Sequence, residues 1–166
     1  MALATRSRRW LLRPLAAALT GVLAILLAAA PAQATYSPPQ LVYFQLQAQH
    51  STTGVIYYLG RASGTIQFDD DNSSYYLSIT ICRQSSYSPP ILRVYINGTS
   101  YHQGLTGSSV GRTPECDDRP TNVINSAYTY NGVINSITLV FEGIFFEDYY
   151  HVRTVTKSST YDNPFN

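Results

Sequence analysis

The feature that most restricts the fold is a two-residue alternation of apolar and polar side chains, which is clearest over residues 75–83. There Leu77, Ile79 and Ile81 are separated by single polar residues, and Cys82 falls on the polar face. Successive side chains of a β-strand point to opposite faces, so the pattern predicts a strand with one buried face. After residue 34, no segment shows the i, i+3, i+4 apolar spacing of an amphipathic helix. An all-β protein is therefore predicted.

Similar segments recur along the chain and are separated by turn-forming residues. The predicted strands cover residues 42–48, 55–59, 64–68, 75–83, 91–97, 123–130, 137–142 and 149–157. About eight short strands favour an antiparallel two-sheet β-sandwich, Ig-like or jelly-roll-like. We expect 64–68, 75–83 and 91–97 to form a meander, Asn131-Gly132 to close a hairpin and Gly143 to mark a bulge or bend. The Gly- and Pro-rich residues 98–121 are predicted to form a long loop that includes a short strand near Tyr101.

The first 34 residues have the pattern of a bacterial signal peptide. Four arginines are followed by an apolar run over residues 15–30 and by the A-x-A cleavage signal that ends at Ala34. The run is shorter than the ~20 residues that cross a bilayer, so a membrane anchor is disfavoured. Arg8-Arg9 and the residues around them also resemble a twin-arginine export motif, and the export route stays open. The predicted organisation is a cleaved signal peptide over 1–34, one β-sandwich domain over 35–157 and a polar tail over 158–166.

Charge and cysteine content narrow the function classes. Residues 35–166 contain seven basic and ten acidic side chains, a net charge of −3, without any basic cluster. Such a surface disfavours nucleic-acid and anionic-membrane partners. Two cysteines in an exported chain predict a disulfide between Cys82 and Cys116.

Catalytic and metal-binding patterns are weak, so no cofactor is predicted and an enzyme is not favoured. Ser109 fits G-x-S-x-G, with Asp117 or Asp118 and His151 in hydrolase order, but no helix follows it. The three histidines lack zinc-motif spacing. No spacing selects a glycosidase-like pair among Glu115, Glu142, Glu147 and Asp148. The run Asp69, Asp70 and Asp71 is a weak calcium candidate, against its alternative as a plain turn.

All 14 tyrosines lie after residue 34, and several stand in adjacent aromatic pairs. In a strand, one member of each pair points outward. These rings either stack on a ligand or stabilise the sheets as cross-strand pairs. The candidate ligand-contact residues are Tyr57, Tyr58, Tyr75, Tyr76, Tyr95, Tyr149 and Tyr150.

The strand set 63–68, 75–83 and 91–98 behind an Ala-rich signal resembles small secreted β-sandwich proteins of actinobacteria. The resemblance rests on layout and implies a fold and a compartment, but no functional residues. We expect a secreted, non-enzymatic protein that binds a cell-wall or environmental polysaccharide or another extracellular protein. A secreted hydrolase or toxin is one alternative. A protease inhibitor that presents loop 98–116 is the other.

Overall fold

The fold was obtained as a computed structural model, which describes residues 35–148 and 151–166. The predicted signal peptide, Tyr149 and Tyr150 lie outside the described residues. The strands are β1 (Gln40–Gln49), β2 (Ile56–Phe68), β3 (Ser74–Arg83), β4 (Ile91–Ile96), β5 (Ser100–Leu105), β6 (Ser108–Thr113), β7 (Arg119–Thr129), β8 (Ser136–Asp148) and β9 (His151–Asp162). No helix in the described part of the chain is long and apolar enough to cross a membrane.

The nine strands form two antiparallel sheets, which confirms the predicted β-sandwich. One sheet has the order β1-β2-β3-β7-β6 and the other the order β5-β4-β8-β9. The core lies between them and is built by the predicted apolar faces, with Leu77, Ile79 and Ile81 of β3 opposite residues such as Phe141 of β8. Two-residue periodicity therefore identifies the buried faces of β1, β3, β4, β8 and the second half of β2 correctly, whereas the alternation predicted over 149–157 does not mark a buried face, since Val152 is exposed.

The sheet assignment of individual strands differs from the prediction. Residues 64–68 and 75–83 do pair, as parts of β2 and β3, but β4 joins the other sheet, so the three-strand meander is wrong. The hairpin at Asn131-Gly132 is also wrong, because β7 and β8 belong to different sheets and the turn carries the chain between them. A polar crossover turn and a hairpin turn use the same residue types, which explains the error.

The segments predicted as 55–59 and 64–68 are one continuous strand, β2. Gly64 lies inside it, with φ of +153°, and a Cβ there would be 1.9 Å from the backbone oxygen of Ser78 on β3. Only glycine permits this approach, so the residue that suggested a strand boundary is instead required within the strand.

Residues 98–121 are not a long loop. They contain β5, which confirms the short strand predicted near Tyr101, and also β6, a 3₁₀ turn over Pro114–Cys116 and the start of β7. β5 pairs with β4, while β6 pairs with β7. The inhibitor hypothesis expected an exposed loop over 98–116, and most of that segment is instead paired strand.

The predicted Cys82–Cys116 disulfide is present, and both cysteines are buried. It links the end of β3 to the tip of the β6–β7 hairpin, defined here as residues 114–118. Between the two cysteines the chain passes through β4 and β5 of the other sheet, so the disulfide closes a covalent loop that includes both of these strands.

The C-terminal segment is ordered as a strand beyond the predicted domain end at residue 157. β9 continues to Asp162, and Asn163 is buried with its side-chain amide donating to the backbone oxygen of Ile134 at 2.7 Å. Gly143 pairs with Val155 without the predicted bulge, and the register shift of β8 falls after Phe146.

Candidate functional site

Three chain connections meet at one end of the sandwich, and we call this the aromatic end. It comprises the β1–β2 turn with the start of β2 (residues 50–58), the β3–β4 connection (84–90) and the facing ends of β8 and β9 (144–148 and 151–152). The Ser85 N–H donates to the Tyr58 oxygen at 3.0 Å, and the Tyr87 N–H donates to the Ile144 oxygen at 2.9 Å. The Ser51 N–H donates to the carboxylate of Glu147. These bonds tie the β3–β4 connection to β2 and β8 and the β1–β2 turn to the end of β8.

Aromatic and apolar side chains are exposed at this end. Tyr58 is 52% exposed, Tyr87 65% and Phe146 43%. The Tyr87 and Phe146 rings stack at 5.3 Å between centroids. Tyr57 is partly exposed and packs against Phe145, at 5.4 Å between ring centroids. Exposure of large apolar rings to water is unfavourable, and their concentration at one end of a protein is typical of a binding surface.

A groove of about 330 Å³ lies beside two of these tyrosines. We call it the tyrosine groove. Three separate parts of the chain line it: the start of β2, the residues after β3 and the hairpin tip with the start of β7. Its lining includes Tyr57, Tyr58, Gln84, Ser85, Asp117 and Arg119. Aromatic rings are thus combined with amide, carboxylate and guanidinium groups that donate or accept hydrogen bonds.

The disulfide places the hairpin tip at this groove. Cys116 bonds to Cys82 on β3, two residues before Gln84. Arg61 on β2 donates to the backbone oxygen of Glu115, which ties the tip to a second strand. Asp117 follows in a left-handed conformation, with φ of 53°. The tip is therefore held against β2 and β3, and Asp117 with it.

A second, more polar cleft of about 640 Å³ separates the end of β1 from β9. The guanidinium of Arg153 lies 5.3 Å from the centroid of the Phe145 ring and donates to the backbone oxygen of Gln49. His50 is 3.3 Å from Glu147, whose side chain is 8% exposed. Hydrogen bonds from Ser51 lower the pKa of the Glu147 carboxyl, so this group is a carboxylate at neutral pH.

The hydrolase candidates are distributed over different sheets. Ser109 lies on β6 and pairs with Asn122, whereas His151 lies on β9 and pairs with Asp148, its Nδ1 being 2.8 Å from that carboxylate. Glu142 is bound to Arg93 at 2.7 Å, and this bond lowers the pKa of Glu142. No hydrogen bond between described residues joins Ser109 to a histidine or a carboxylate, as a nucleophile and its base require.

The other two histidines have structural contacts. His50 Nδ1 accepts from the N–H groups of Thr52 and Thr53 at 3.2 and 3.4 Å. His102 packs edge-on between the rings of Tyr75 and Tyr130. Over residues 35–148 and 151–166, no group of three or more His, Cys, Asp or Glu side chains is arranged to hold a metal ion.

The aspartate run follows β2 and is organised by its first member. Asp69 is buried, and its Oδ1 accepts from the N–H groups of Ser73 and Ser74 at 2.9 and 2.8 Å. The carboxylate of Asp69 thus accepts hydrogen bonds from backbone N–H groups of the turn between β2 and β3 and stabilises that turn. Asp70 and Asp71 are exposed. Calcium binding by these residues stays a prediction.

The candidate tyrosines do not form a single surface. Tyr75 is fully buried and accepts from Gln103 at 2.9 Å, so it contacts no ligand, and burial raises its pKa. Tyr76 packs against Tyr36 on the five-stranded sheet. Tyr95 packs against Tyr101 on the other sheet. Tyr57 and Tyr58 alone lie at the aromatic end among the described candidates.

Sequence reasoning missed the rest of the groove. Gln84, Asp117 and Arg119 become neighbours of Tyr58 only through the fold and the disulfide. Tyr87 and Phe146 were also missed, although each carries a signal: Tyr87 is an aromatic residue inside a polar connection, and Phe146 is the outward member of the pair that includes buried Phe145.

Comparison of the chain with protein-family models, with curated proteins and with solved structures gives no match. The resemblance to secreted actinobacterial proteins therefore stays a prediction, and the function is inferred from the geometry of the site.

Proposed function

We propose that this is a secreted, non-enzymatic binding protein that takes a cell-wall or environmental polysaccharide in the tyrosine groove. The observation that carries the proposal is the combination of two exposed rings, Tyr57 and Tyr58, with Gln84, Asp117 and Arg119 in one open groove.

This combination suits a sugar ring. The C–H face of a pyranose packs on an aromatic ring and loses contact with water there. Its hydroxyl groups donate and accept hydrogen bonds, which an amide, a carboxylate and a guanidinium satisfy in complementary ways. Because the lining residues come from three clamped segments, little conformational entropy is lost on binding.

The disulfide and the signal-peptide pattern support the extracellular part of the proposal. A disulfide persists in oxidising compartments, and the first 34 residues have the pattern of a signal peptide. Polysaccharides of the cell wall and the environment are the abundant ligands of that compartment.

Retention of the oxidised protein on insoluble chitin, cellulose and peptidoglycan tests the proposal, with albumin as the protein control. We expect selective retention on one polymer and a loss of up to about tenfold in Tyr58→Ala, since stacked rings contribute on the order of 0.5–1.5 kcal/mol. Tyr101→Ala is the matched control, because Tyr101 is similarly exposed but lies on β5 in the other sheet. Equal losses in both variants, or retention on none of the polymers, would contradict the proposal.

A second candidate is an extracellular protein partner, favoured by the stacked and exposed Tyr87 and Phe146. Phe146 pairs with exposed Val152 on β9, so the apolar patch continues onto the edge strand. Capture of a protein partner by the wild type but not by Phe146→Ser, without retention on any polymer, would favour this candidate.

A further inference from the structure

A smaller pocket of about 270 Å³ lies apart from the tyrosine groove, beside the end of β3 and the starts of β6 and β7. Ile81 and Pro89, Pro90 and Pro120 form its apolar walls, and we call it the proline pocket. Proline has a fixed φ and no side-chain rotamers to lose, so such walls are already rigid before a ligand binds. The volume is just below the range of about 300–1,000 Å³ for drug-sized ligands, which suits one ring or one branched aliphatic group.

The proline pocket contains one positive charge, that of Arg83. Its Nε donates to the Ser86 oxygen at 3.0 Å, and its Nη2 donates to the Tyr87 oxygen at 2.6 Å. These two bonds fix the guanidinium but leave further N–H groups unused. Within residues 35–148 and 151–166, Arg83 forms no ion pair with a carboxylate. The charge is thus oriented and without an acidic counterpart in that part of the chain.

Two further polar groups line the pocket. Among the described residues, the Ser109 hydroxyl has no hydrogen-bond partner, so it is available as a donor. The side-chain N–H of Asn122 donates to the Thr106 oxygen at 2.8 Å, which leaves the amide oxygen of Asn122 as an acceptor. Ser109 and Asn122 are paired across β6 and β7, which sets their relative position.

From this arrangement we infer that the proline pocket is a second binding site, separate from the tyrosine groove, for a carboxylate attached to a compact apolar group. The carboxylate accepts from the Arg83 guanidinium and the Ser109 hydroxyl, since a guanidinium is the preferred donor for that planar anion. The apolar group lies against Ile81 and the prolines. Ser109, which the sequence placed in a hydrolase-like motif, acts here as a ligand contact and not as a nucleophile.

This chemistry is shared by a free aromatic or aliphatic acid and by the C-terminal residue of a peptide. The oxygen of Asn122 distinguishes the two sources, because a peptide has a backbone N–H next to its terminal carboxylate and a free acid lacks one. Phenylacetate represents the free acid and N-acetylphenylalanine the peptide terminus. Phenylacetamide is the neutral control of nearly the same shape as phenylacetate.

Titration of the ¹⁵N-labelled oxidised protein with these three probes tests the inference. We expect one or both acids to shift the amide resonances of Ile81, Ser109 and Asn122, and phenylacetamide to leave them in place. Arg83→Gln removes a charge-assisted bond and is expected to weaken binding of the acid by about tenfold or more. Arg112→Gln is the matched control, because Arg112 is exposed on β6 outside the pocket.

Ser109→Ala keeps the test valid if Arg83→Gln perturbs the fold, since Ser109 is exposed and its loss leaves no buried group unpaired. We expect this variant to weaken acid binding severalfold. Equal shifts with acid and amide would overturn the inference, as would no shift with either acid at about 10 mM, where even weak sites are occupied. Equal effects of Arg83→Gln and Arg112→Gln would also overturn it.

Discussion

Removing the disulfide is expected to affect stability and ligand binding together. The bond closes a segment with a sequence separation of 34 residues. The chain-entropy model assigns about 4 kcal/mol of stabilisation to a loop of this length. Cys82 and Cys116 are both buried, so the double variant Cys82→Ala/Cys116→Ala also loses some packing. This loss is small, because each substitution removes only one sulfur atom. We therefore expect unfolding to become easier by about 4 kcal/mol, or a Tm lower by roughly 15 °C.

Urea unfolding of the oxidised wild type, the reduced wild type and the double variant measures this effect. Reduction and mutation should lower stability by similar amounts, and a reducing agent should not affect the double variant. Polymer retention of the same proteins reports on the tyrosine groove, where we expect the freed hairpin tip to weaken binding while the sandwich stays folded. A stability change below about 1 kcal/mol would refute the loop-closure reasoning. Undiminished retention would refute the role of the tip.

Three further predictions concern the fold away from the groove. Gly64→Ala is expected to destabilise the protein by about 3 kcal/mol or more in urea unfolding, because its Cβ would lie 1.9 Å from a backbone oxygen of β3; a change below about 1 kcal/mol would contradict this contact. Tyr75→Phe removes the acceptor for Gln103 and should cost about 1–2 kcal/mol in the same assay, and a neutral result would be contrary evidence. NMR titration should find the pKa of His151 above its ordinary 6.5, because its ring is hydrogen-bonded to Asp148. This pair then stabilises the fold below pH 6.5 and loses its contribution as pH rises through the raised pKa; an unchanged pKa in Asp148→Asn would be inconsistent with that pairing.

The buried faces of the strands were predictable because a strand in a two-sheet sandwich has one dry side. The alternation at Leu77, Ile79 and Ile81 records that side directly. Cys82 and Cys116 were likewise assigned from their number and the expected compartment. Neither signal depends on knowing which strands are neighbours.

Strand partners and the groove were not predictable in the same way. Strands of both sheets carry the same alternation, so nothing local assigns β4 to one sheet or the other. The short strands β5 and β6 contain mostly small and polar residues with low intrinsic β-propensity. These segments are strands because they pair with β4 and β7, which the local sequence does not reveal. The groove joins Tyr58, Gln84 and Asp117, which are distant in sequence and meet only in the folded chain.

The most direct test of the proposed function is an NMR titration of the oxidised ¹⁵N-labelled protein with soluble oligosaccharides of chitin, cellulose and peptidoglycan. If the tyrosine groove is the binding site, one oligosaccharide will shift the amide resonances of Tyr58, Gln84 and Asp117 and leave those of β5 unchanged. Shifts confined to other surfaces, or no shifts with any of the three, would contradict the proposed function.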